Sequence, residues 1–200
     1  AKDPARYFTP IGQGCSLHDS KFTVIEGDEY DTAFFDKRSK FLHYRPRGLI
    51  INNIEYDHAD IFPDLASIQR QFHHLVRTVP ASGAIVYPAD DAAVATVLGM
   101  GMWSCGRPIA VDCAGGEWNA RLSQPDGSAF VLGDRDAAYS VALEWQHKGR
   151  HNVSNALAAA TFLAGRAECA QVYYPGLREH PDHALALRQF GGRFGSMLSF

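Results

Sequence analysis

Two short runs rich in β-branched residues, each followed by polar side chains, constrain the fold of this chain more than any other feature. The first run is FTVIE (22–26), which ends in Glu26, and the second is GLIINNI (48–54), which precedes Asp57 and His58. Runs of this length and composition are typical of buried strands. In an open α/β sheet, ligands bind beyond the carboxyl ends of the strands. We therefore expect these carboxylates and the histidine to face one active site.

Helix and strand patterns alternate along the next part of the chain. Residues 31–44 are a mixed segment that we expect to cross over from the first strand to a second, parallel one. Pro63 suits a helix N-terminus, and the apolar residues after it predict a helix that ends near Pro80. Those residues recur at helical spacing and are Leu65, Ile68, Phe72, Leu75 and Val76. GAIVYP (83–88) predicts a third strand of the same sheet, and 90–100 a short helix.

Residues 118–145 have a different pattern, in which short β-prone runs are separated by turn residues. This pattern predicts antiparallel hairpins in a small β-rich insert or flank. The alanine-rich stretch GRHNVSNALAAATFLAG (149–165) predicts a helix packed closely on the sheet, and HALALRQF (183–190) is a candidate for a last helix. The predicted fold class is α/β, with a mostly parallel sheet flanked by helices and a small antiparallel β region.

The composition of the chain argues against several classes of protein. The chain has 46% hydrophobic residues, 20% charged residues and a formal charge of -3, values that argue against disorder and against a nucleic-acid partner. No apolar run is long enough to span a bilayer and the N-terminus lacks a signal-peptide core, so we expect a cytoplasmic protein without a membrane partner. The four cysteines lack C-x-x-C spacing and are expected to be reduced, packed thiols. The sequence does not predict the oligomeric state.

An acidic stretch follows the first run. Its four carboxylates lie within six positions and belong to Glu26, Asp28, Glu29 and Asp31. Like charges this close repel each other unless a cation or a basic group lies among them, and a hard divalent ion with oxygen ligands meets that need. The alternative is a solvated acidic loop. Asn53 and His58 follow the second run, and His58 is either a metal ligand through one ring nitrogen or a hydrogen-bonded structural group.

A third candidate group lies at the start of the alanine-rich helix. His151 and Asn155 are four residues apart and share a helix face. An asparagine amide offers the donor and acceptor needed to read the edge of an adenine, and an imidazole beside it can contact the ring or the ribose. Helix capping is the alternative role for these two residues. The chain contains neither G-x-x-x-x-G-K-[ST] nor G-x-G-x-x-G, so a nucleoside triphosphate would be poorly held by this chain alone.

These residues resemble those of the Mur ligases. The resemblance is strong over VIEGDEYDTAFFDKRSKFLHYRPRGLIINNIEYDHADIF and IQRQFHHLVR, continues through GRHNVSNALAAA, and covers well over half of the chain. It implies that residues 1–170 are part of the central ATP-binding domain, without its phosphate loop, and that 171–200 are the end of that domain and the start of the C-terminal one. We expect a piece of a longer protein, and no turnover by the piece alone.

The resemblance also implies a reaction and its participants. ATP activates the carboxylate of UDP-N-acetylmuramate as an acyl phosphate, and the amine of the murein tripeptide L-Ala-γ-D-Glu-meso-diaminopimelate attacks it, in peptidoglycan recycling. By the family pattern Glu26 and His58 are catalytic and hold Mg²⁺. His151 and Asn155 fall on adenine-binding positions, and Asn53 is the third cofactor-binding candidate. DKRSKF (36–41) favours the tripeptide-using branch over the UDP-N-acetylmuramate:L-alanine ligases, which are the alternative beside a non-catalytic nucleotide- or metal-binding module.

The chain departs from the family pattern at several places. EGDE (26–29) stands where the family has EADE, and the helix that carries Phe72, His73 and His74 has no lysine of the kind that is carbamylated in several Mur ligases. The lack of this lysine agrees with the branch that uses UDP-N-acetylmuramate. GGRFGSMLSF (191–200) differs from the basic segment expected soon after the adenine-binding helix.

Overall fold

A computed structural model describes residues 15–16, 24–136, 138 and 140–164. The chain divides into two compact units, Ala1–Tyr44 and Arg45–Phe200. The candidate helix over 183–190 and the predicted domain end over 171–200 lie outside the described residues. Within them, no helix has the length and the apolar character that crossing a membrane requires.

The described residues of the first unit contain two small antiparallel pairs. β1 (Cys15–Ser16) pairs with β2 (Val24–Ile25), and β3 (Asp31–Ala33) pairs with β4 (Asp36–Ser39), which runs into a 3₁₀ turn, Lys40–His43. The prediction of a buried strand at 22–26 that crosses over to a parallel partner is therefore wrong. β2 has two residues, its Ile25 is 41% exposed, and residues 31–44 form a hairpin and a turn. β-Branching favours extended backbone but does not set the partner strand, which explains the error.

The second unit contains a six-stranded sheet in the order β10-β9-β8-β7-β6-β5. The strands β5 to β8 run parallel, and β8, β9 and β10 pair antiparallel. Their bounds are β5 Gly48–Ile50, β6 Ala84–Pro88, β7 Cys105–Val111, β8 Trp118–Leu122, β9 Ala129–Asp134 and β10 Ser140–Glu144. The predicted mostly parallel sheet and antiparallel hairpins are confirmed, although the hairpins extend the main sheet and do not form an insert.

In the described part of the chain, three helices cover the sheet: α1 (Leu65–Val76), α2 (Ala92–Gly99) and α3 (Arg150–Ala164). Consecutive residues of β6 show how the layers are arranged, because side chains alternate between the faces of a strand. Ile85 lies in the apolar cluster that α1 and α2 form with one face, and Val86 lies in the cluster that α3 helps to form on the other. Both are fully buried, as expected for a parallel strand covered on both faces.

The strand β7 was missed by the sequence analysis although it pairs with β6 on one side and β8 on the other. Its first four residues, Cys-Gly-Arg-Pro, carry turn signals, and Pro108 offers no backbone N–H to the ladder. The prediction of packed thiols is also wrong for Cys105, which is exposed at the start of β7, whereas Cys113 is half-buried after its end. Both cysteines are free.

Candidate active site

The carboxyl ends of β5, β6 and β7 lie along one edge of the sheet, which we call the carboxyl edge, because these strands are parallel. Polar residues follow each strand: Asn53 after β5, Asp90 after β6 and Cys113 after β7. The start of α3 joins them, since the guanidinium Nη2 of Arg150 donates to Asp90 Oδ2 over 2.7 Å and to the Val111 carbonyl oxygen over 2.5 Å. The structure thus brings the loops after β6 and β7 together with the α3 N-terminus.

His58 lies in the loop after β5 with a backbone conformation that non-glycine residues seldom adopt. Its φ is +54°, its N–H donates to Asp57 Oδ1 over 2.7 Å, and its carbonyl oxygen accepts from Ile61 and Phe62 at 3.0 Å each. Histidine is among the residues enriched in this left-handed region, and such strained residues concentrate at functional sites. The loop therefore holds the backbone of His58 in one conformation, with the side chain half-buried.

His151 and Asn155 are the second and sixth residues of α3, and both side chains are exposed. The opposite face of the helix is buried through Val153 and Leu157. Asn155 lies in the second turn, beyond the cap positions where an asparagine side chain satisfies a free backbone N–H. The capping interpretation therefore fails for Asn155, and both residues present polar groups outward on one face. Asn53 is also exposed.

The ring of His151 lies against Gly149, which precedes the helix. Gly149 has a φ of +105°, and a Cβ built on it would lie 2.4 Å from His151 Cε1. A Cβ at Gly127, in the turn between β8 and β9, would meet the carbonyl carbon and oxygen of Gly149 at 3.0 Å. Gly149 is consequently enclosed by the turn between β8 and β9 and by the imidazole of His151.

Glu26 belongs to the first unit, where it is exposed directly after β2. The neighbouring carboxylates are paired with lysines: Asp28 Oδ2 lies 2.8 Å from Lys40 Nζ, and Asp31 Oδ2 lies 2.6 Å from Lys37 Nζ. The hydrogen bond to Asp28 raises the pKa of Lys40. Basic side chains therefore balance part of the acidic stretch, so its charge density alone does not call for a metal ion.

Glu26 lies in the first unit and His58 in the second. Among the residues that the structure describes, no three His, Cys, Asp or Glu side chains are grouped closely enough to hold a metal ion. Mg²⁺ is commonly bound by one or two carboxylates, with substrate phosphates and water as its other ligands. The carboxylate of Glu26 fits that mode, in which a protein cage of three ligands is not needed. The pairing of Glu26 with His58 stays a prediction.

Asp90, Cys113 and Arg150 are residues of the carboxyl edge that the sequence analysis did not select. Burial, and then the negative charge of Asp90, raise the pKa of the Cys113 thiol. Arg150 lies sixty positions from Asp90 in sequence. Asp90 could have been selected because it lies two residues after a predicted strand. No local pattern in the sequence links it to Arg150.

An open cleft of about 440 Å³ lies at the opposite, amino edge of the sheet. Its lining residues come from the start of β7, the start of β8 and the end of β9, and they are Gly106, Pro108, Glu117, Trp118, Asp134, Arg135 and Asp136. None of the predicted site residues lines it. The rule that α/β sheets bind ligands at their carboxyl ends favours the carboxyl edge as the site.

The family follows from a comparison with known proteins. The profile of the Mur ligase middle domain matches residues 15–163, which run from β1 almost to the end of α3. The chain belongs to the Mur ligase family. A second profile, Cys/Met metabolism PLP-dependent enzyme, matches the shorter stretch 147–200, of which residues 165–200 lie outside the described part of the chain. The six-stranded sheet and its helices therefore form a Mur ligase central-domain fold.

Individual Mur ligases are similar over most of the chain. The UDP-N-acetylmuramate-L-alanyl-gamma-D-glutamyl-meso-2,6-diaminoheptandioate ligase of Haemophilus influenzae is 48% identical over 152 residues, which cover 74% of this chain and 32% of that protein. The Escherichia coli enzyme of the same name is 49% identical over 144 residues, covering 72% and 30%. The chain thus spans about a third of the length of these curated relatives.

A solved structure gives the same result. The crystal structure of UDP-N-acetylmuramate:L-alanyl-gamma-D-glutamyl-meso-diaminopimelate ligase from Neisseria meningitides matches with a TM-score of 0.61 and 46% identity, over 72% of this chain and 44% of that one. The fold and the sequence therefore point to the same branch of the Mur ligases.

Proposed function

We propose that the protein containing this chain is an ATP-dependent ligase that joins UDP-N-acetylmuramate to the tripeptide L-Ala-γ-D-Glu-meso-diaminopimelate through an acyl phosphate. The observation that carries the proposal is the carboxyl edge of a Mur ligase sheet, where the strained His58 loop and the exposed His151 and Asn155 lie in one unit. Two curated relatives about half identical to the chain carry names with this donor and acceptor.

Glu26 and His58 are the proposed catalytic pair and the protein's ligands for Mg²⁺. When bound, Mg²⁺ supplies positive charge that neutralises crowded phosphate and carboxylate oxygens. An exposed carboxylate such as Glu26 offers the oxygen ligand that this ion prefers. The left-handed backbone of His58 supports its role, because strained residues persist where the geometry of a site requires them.

His151 and Asn155 are the proposed adenine contacts, and Asn53 is the third nucleotide-binding residue. The amide of Asn155 presents a donor and an acceptor one helical turn from the imidazole of His151, and both face away from the buried side of α3. A planar base needs hydrogen-bonding groups at its edge and a side chain against its face or ribose. The two exposed side chains meet that need.

The phosphates of ATP need groups that these 200 residues do not contain. The sequence lacks G-x-x-x-x-G-K-[ST], the loop whose backbone N–H groups surround the phosphates. We therefore predict that the 200-residue chain alone does not turn over ATP. We place the reaction in the cytoplasm, where the ligase takes part in peptidoglycan recycling.

The main alternative is a UDP-N-acetylmuramate:L-alanine ligase. The stretch DTAFFDKRSKF (31–41), which favours the tripeptide branch, forms the β3–β4 hairpin and the start of the 3₁₀ turn. Phe34 and Phe35 at its tip are 92% and 90% exposed. These exposed aromatic residues are not explained by packing within their own unit, which favours a role in recognition over a role in the core.

The choice of acceptor tests the proposal. Full-length protein is incubated with ATP, Mg²⁺ and UDP-N-acetylmuramate, together with either the tripeptide or L-alanine, and the UDP-linked product is measured. We expect product with the tripeptide at a kcat/KM at least about 100-fold above that with L-alanine, because the site has to hold a much larger acceptor. Product with L-alanine alone favours the alternative ligase. Nucleotide binding without product from either acceptor favours a non-catalytic module.

A further inference from the structure

One arginine joins three elements at the carboxyl edge. Arg150, the first residue of α3, donates through Nη2 to the carboxylate of Asp90 after β6 and to the carbonyl oxygen of Val111 at the end of β7. The two distances are 2.7 Å and 2.5 Å. We call this group of Arg150, Asp90 and the Val111 carbonyl the clasp. It fixes the first turn of the helix to two adjacent strand ends.

The carboxylate in the clasp has a further partner. Cys113 lies two residues beyond β7, and the negative charge of Asp90 is, after burial, the next cause that raises the pKa of its thiol. Asp90 therefore pairs with Arg150 of α3 and also acts electrostatically on the loop after β7.

The position of the first turn of α3 also sets where its exposed side chains point. His151 follows Arg150 directly, and its ring lies against Gly149. Asn155 is one turn further along the same face. A helix is rigid over one turn, so a rotation or shift at Arg150 moves both side chains together. The clasp is thus mechanically connected to the proposed adenine contacts without belonging to them.

We propose that Asp90 and Arg150 are positioning residues for ATP, acting by holding the start of α3 so that His151 and Asn155 meet the adenine. This inference rests on the proposed function, because it takes those two residues as nucleotide contacts. The known role of the strand ends in α/β sheets is to bear ligand-binding loops. Here an ion pair between the loop after β6 and the helix α3 sets the orientation of the proposed adenine contacts without touching the ligand.

A purely structural role is the competing explanation. The side chains of Arg150 and Asp90 are 48% and 37% exposed, and ion pairs this exposed contribute little to folding. A structural pair would lower thermal stability slightly and leave the kinetic constants for ATP unchanged. A positioning pair would change the KM for ATP more than kcat, because the first turn of α3 would lose its orientation.

The test compares Arg150→Met and Asp90→Asn with the unmodified full-length protein. The matched control is Lys148→Met, which removes a nearby ion pair with Asp126 outside the clasp. We expect the KM for ATP to rise about fivefold in both clasp variants, the upper range for a partly exposed pair. The KM for the tripeptide and kcat should stay within about twofold, as should every constant of the control.

Arg150→Lys separates charge from geometry. A lysine keeps the positive charge, but its ammonium group lies on a shorter side chain than the guanidinium Nη2 that donates to both acceptors. We therefore expect a KM for ATP between those of the unmodified protein and Arg150→Met. An unchanged KM for ATP in both clasp variants overturns this inference but leaves the proposed ligase function unaffected. A full-length protein that neither binds nor uses ATP overturns the proposed function and the inference together.

Discussion

Gly149 and His151 are in direct contact, such that the imidazole occupies the space where a side chain at Gly149 would be. A Cβ on Gly149 would lie 2.4 Å from Cε1 and 2.8 Å from Nδ1 of His151. The φ of Gly149 is +105°, which disfavours any other residue independently of space. The glycine before α3 therefore permits both a backbone conformation that other residues rarely adopt and the placement of the proposed adenine-binding ring.

Replacing Gly149 with alanine tests this relationship. We expect Gly149→Ala to lose about 1–2 kcal/mol of unfolding free energy from its backbone conformation, and in addition to raise the KM for ATP because the methyl group displaces the His151 ring. Gly115→Ala is the matched control, since its φ is +102° but its Cβ would meet only the Ala89 Cβ at 3.7 Å. Equal KM values for ATP in the two variants would show that the ring is not displaced.

Local patterns in the sequence predicted much of this fold. The helix after Pro63, the strand at 83–88 and the antiparallel hairpins are confirmed because their apolar spacing and turn residues specify them locally. The strand β7 was not predicted because Gly106 and Pro108 are residues typical of turns. Pairing partners are set by long-range contacts, which explains why the first β-branched run was assigned to the wrong sheet.

The candidate site could be predicted only in part. His58, His151 and Asn155 were selected from residue types and spacing, and the structure places them in one unit without testing their roles. The pair of Asp90 and Arg150 could not be selected, because its members lie far apart in sequence and meet through the parallel order of β6 and β7. Topology, which a single sequence specifies poorly, creates that contact.

The turn between β8 and β9 predicts a pH effect on stability. Hydrogen bonds from the hydroxyl and N–H of Ser128, with a smaller contribution from Lys148, lower the pKa of Asp126 from its usual 3.8 to about 2. A depressed carboxyl pKa adds stability that is complete above the unfolded value and is lost as pH falls through the folded one. Asp126 also accepts a hydrogen bond from Gly149 N–H through its carbonyl, at 2.7 Å.

We therefore expect Asp126→Asn to unfold at a lower urea concentration than the unmodified protein at pH 7. The difference between the two midpoints should shrink between pH 4 and pH 2, because the Asp126 pKa is 3.8 in the unfolded chain and about 2 in the folded one. Urea midpoints at pH 7, 4 and 2 measure it. Ser128→Ala should reproduce most of the effect, and Lys148→Met less of it, because Ser128 is the larger cause. A difference that stays constant over this pH range would contradict the assignment.

The ion pair of Arg107 and Glu117 predicts a second effect on stability. Arg107 donates to both carboxylate oxygens of Glu117, at 2.6 and 3.0 Å, and to the Thr161 carbonyl of α3 at 2.7 Å. We expect Arg107→Met to lose about 1–3 kcal/mol of unfolding free energy, because a mostly buried guanidinium bond network is removed. Lys148→Met, whose side chain is 75% exposed, should lose less than about 1 kcal/mol.

The pH dependence of this pair has a defined sign. Arg107 lowers the pKa of Glu117 from its usual 4.5, so the contribution of the pair is present above pH 4.5 and declines as the pH falls below it. Chemical denaturation of the Arg107→Met variant at pH 7 and at pH 3 measures the change. A loss that is larger at pH 3 than at pH 7 would mean that Arg107 does not stabilise the ionised carboxyl group.

Glu26 and His58 give the prediction with the largest effect on activity. Removing either proposed Mg²⁺ ligand should lower kcat/KM by at least about 100-fold, with little loss of stability, since Glu26 is exposed and His58 is half-buried. The matched control is Glu55→Ala, an exposed carboxylate in the same loop as His58. Raising the Mg²⁺ concentration should restore part of the activity of the two ligand variants but not alter that of the control.

The measurement that tests the proposed site most directly is the formation of ADP and UDP-linked product by full-length protein with ATP, Mg²⁺, UDP-N-acetylmuramate and the tripeptide. Unmodified protein and Glu55→Ala should form both products at similar rates, while Glu26→Ala and His58→Ala should form both at least about 100-fold more slowly. Turnover by the Glu26→Ala and His58→Ala variants at the rate of Glu55→Ala would contradict the assignment of these residues to the active site.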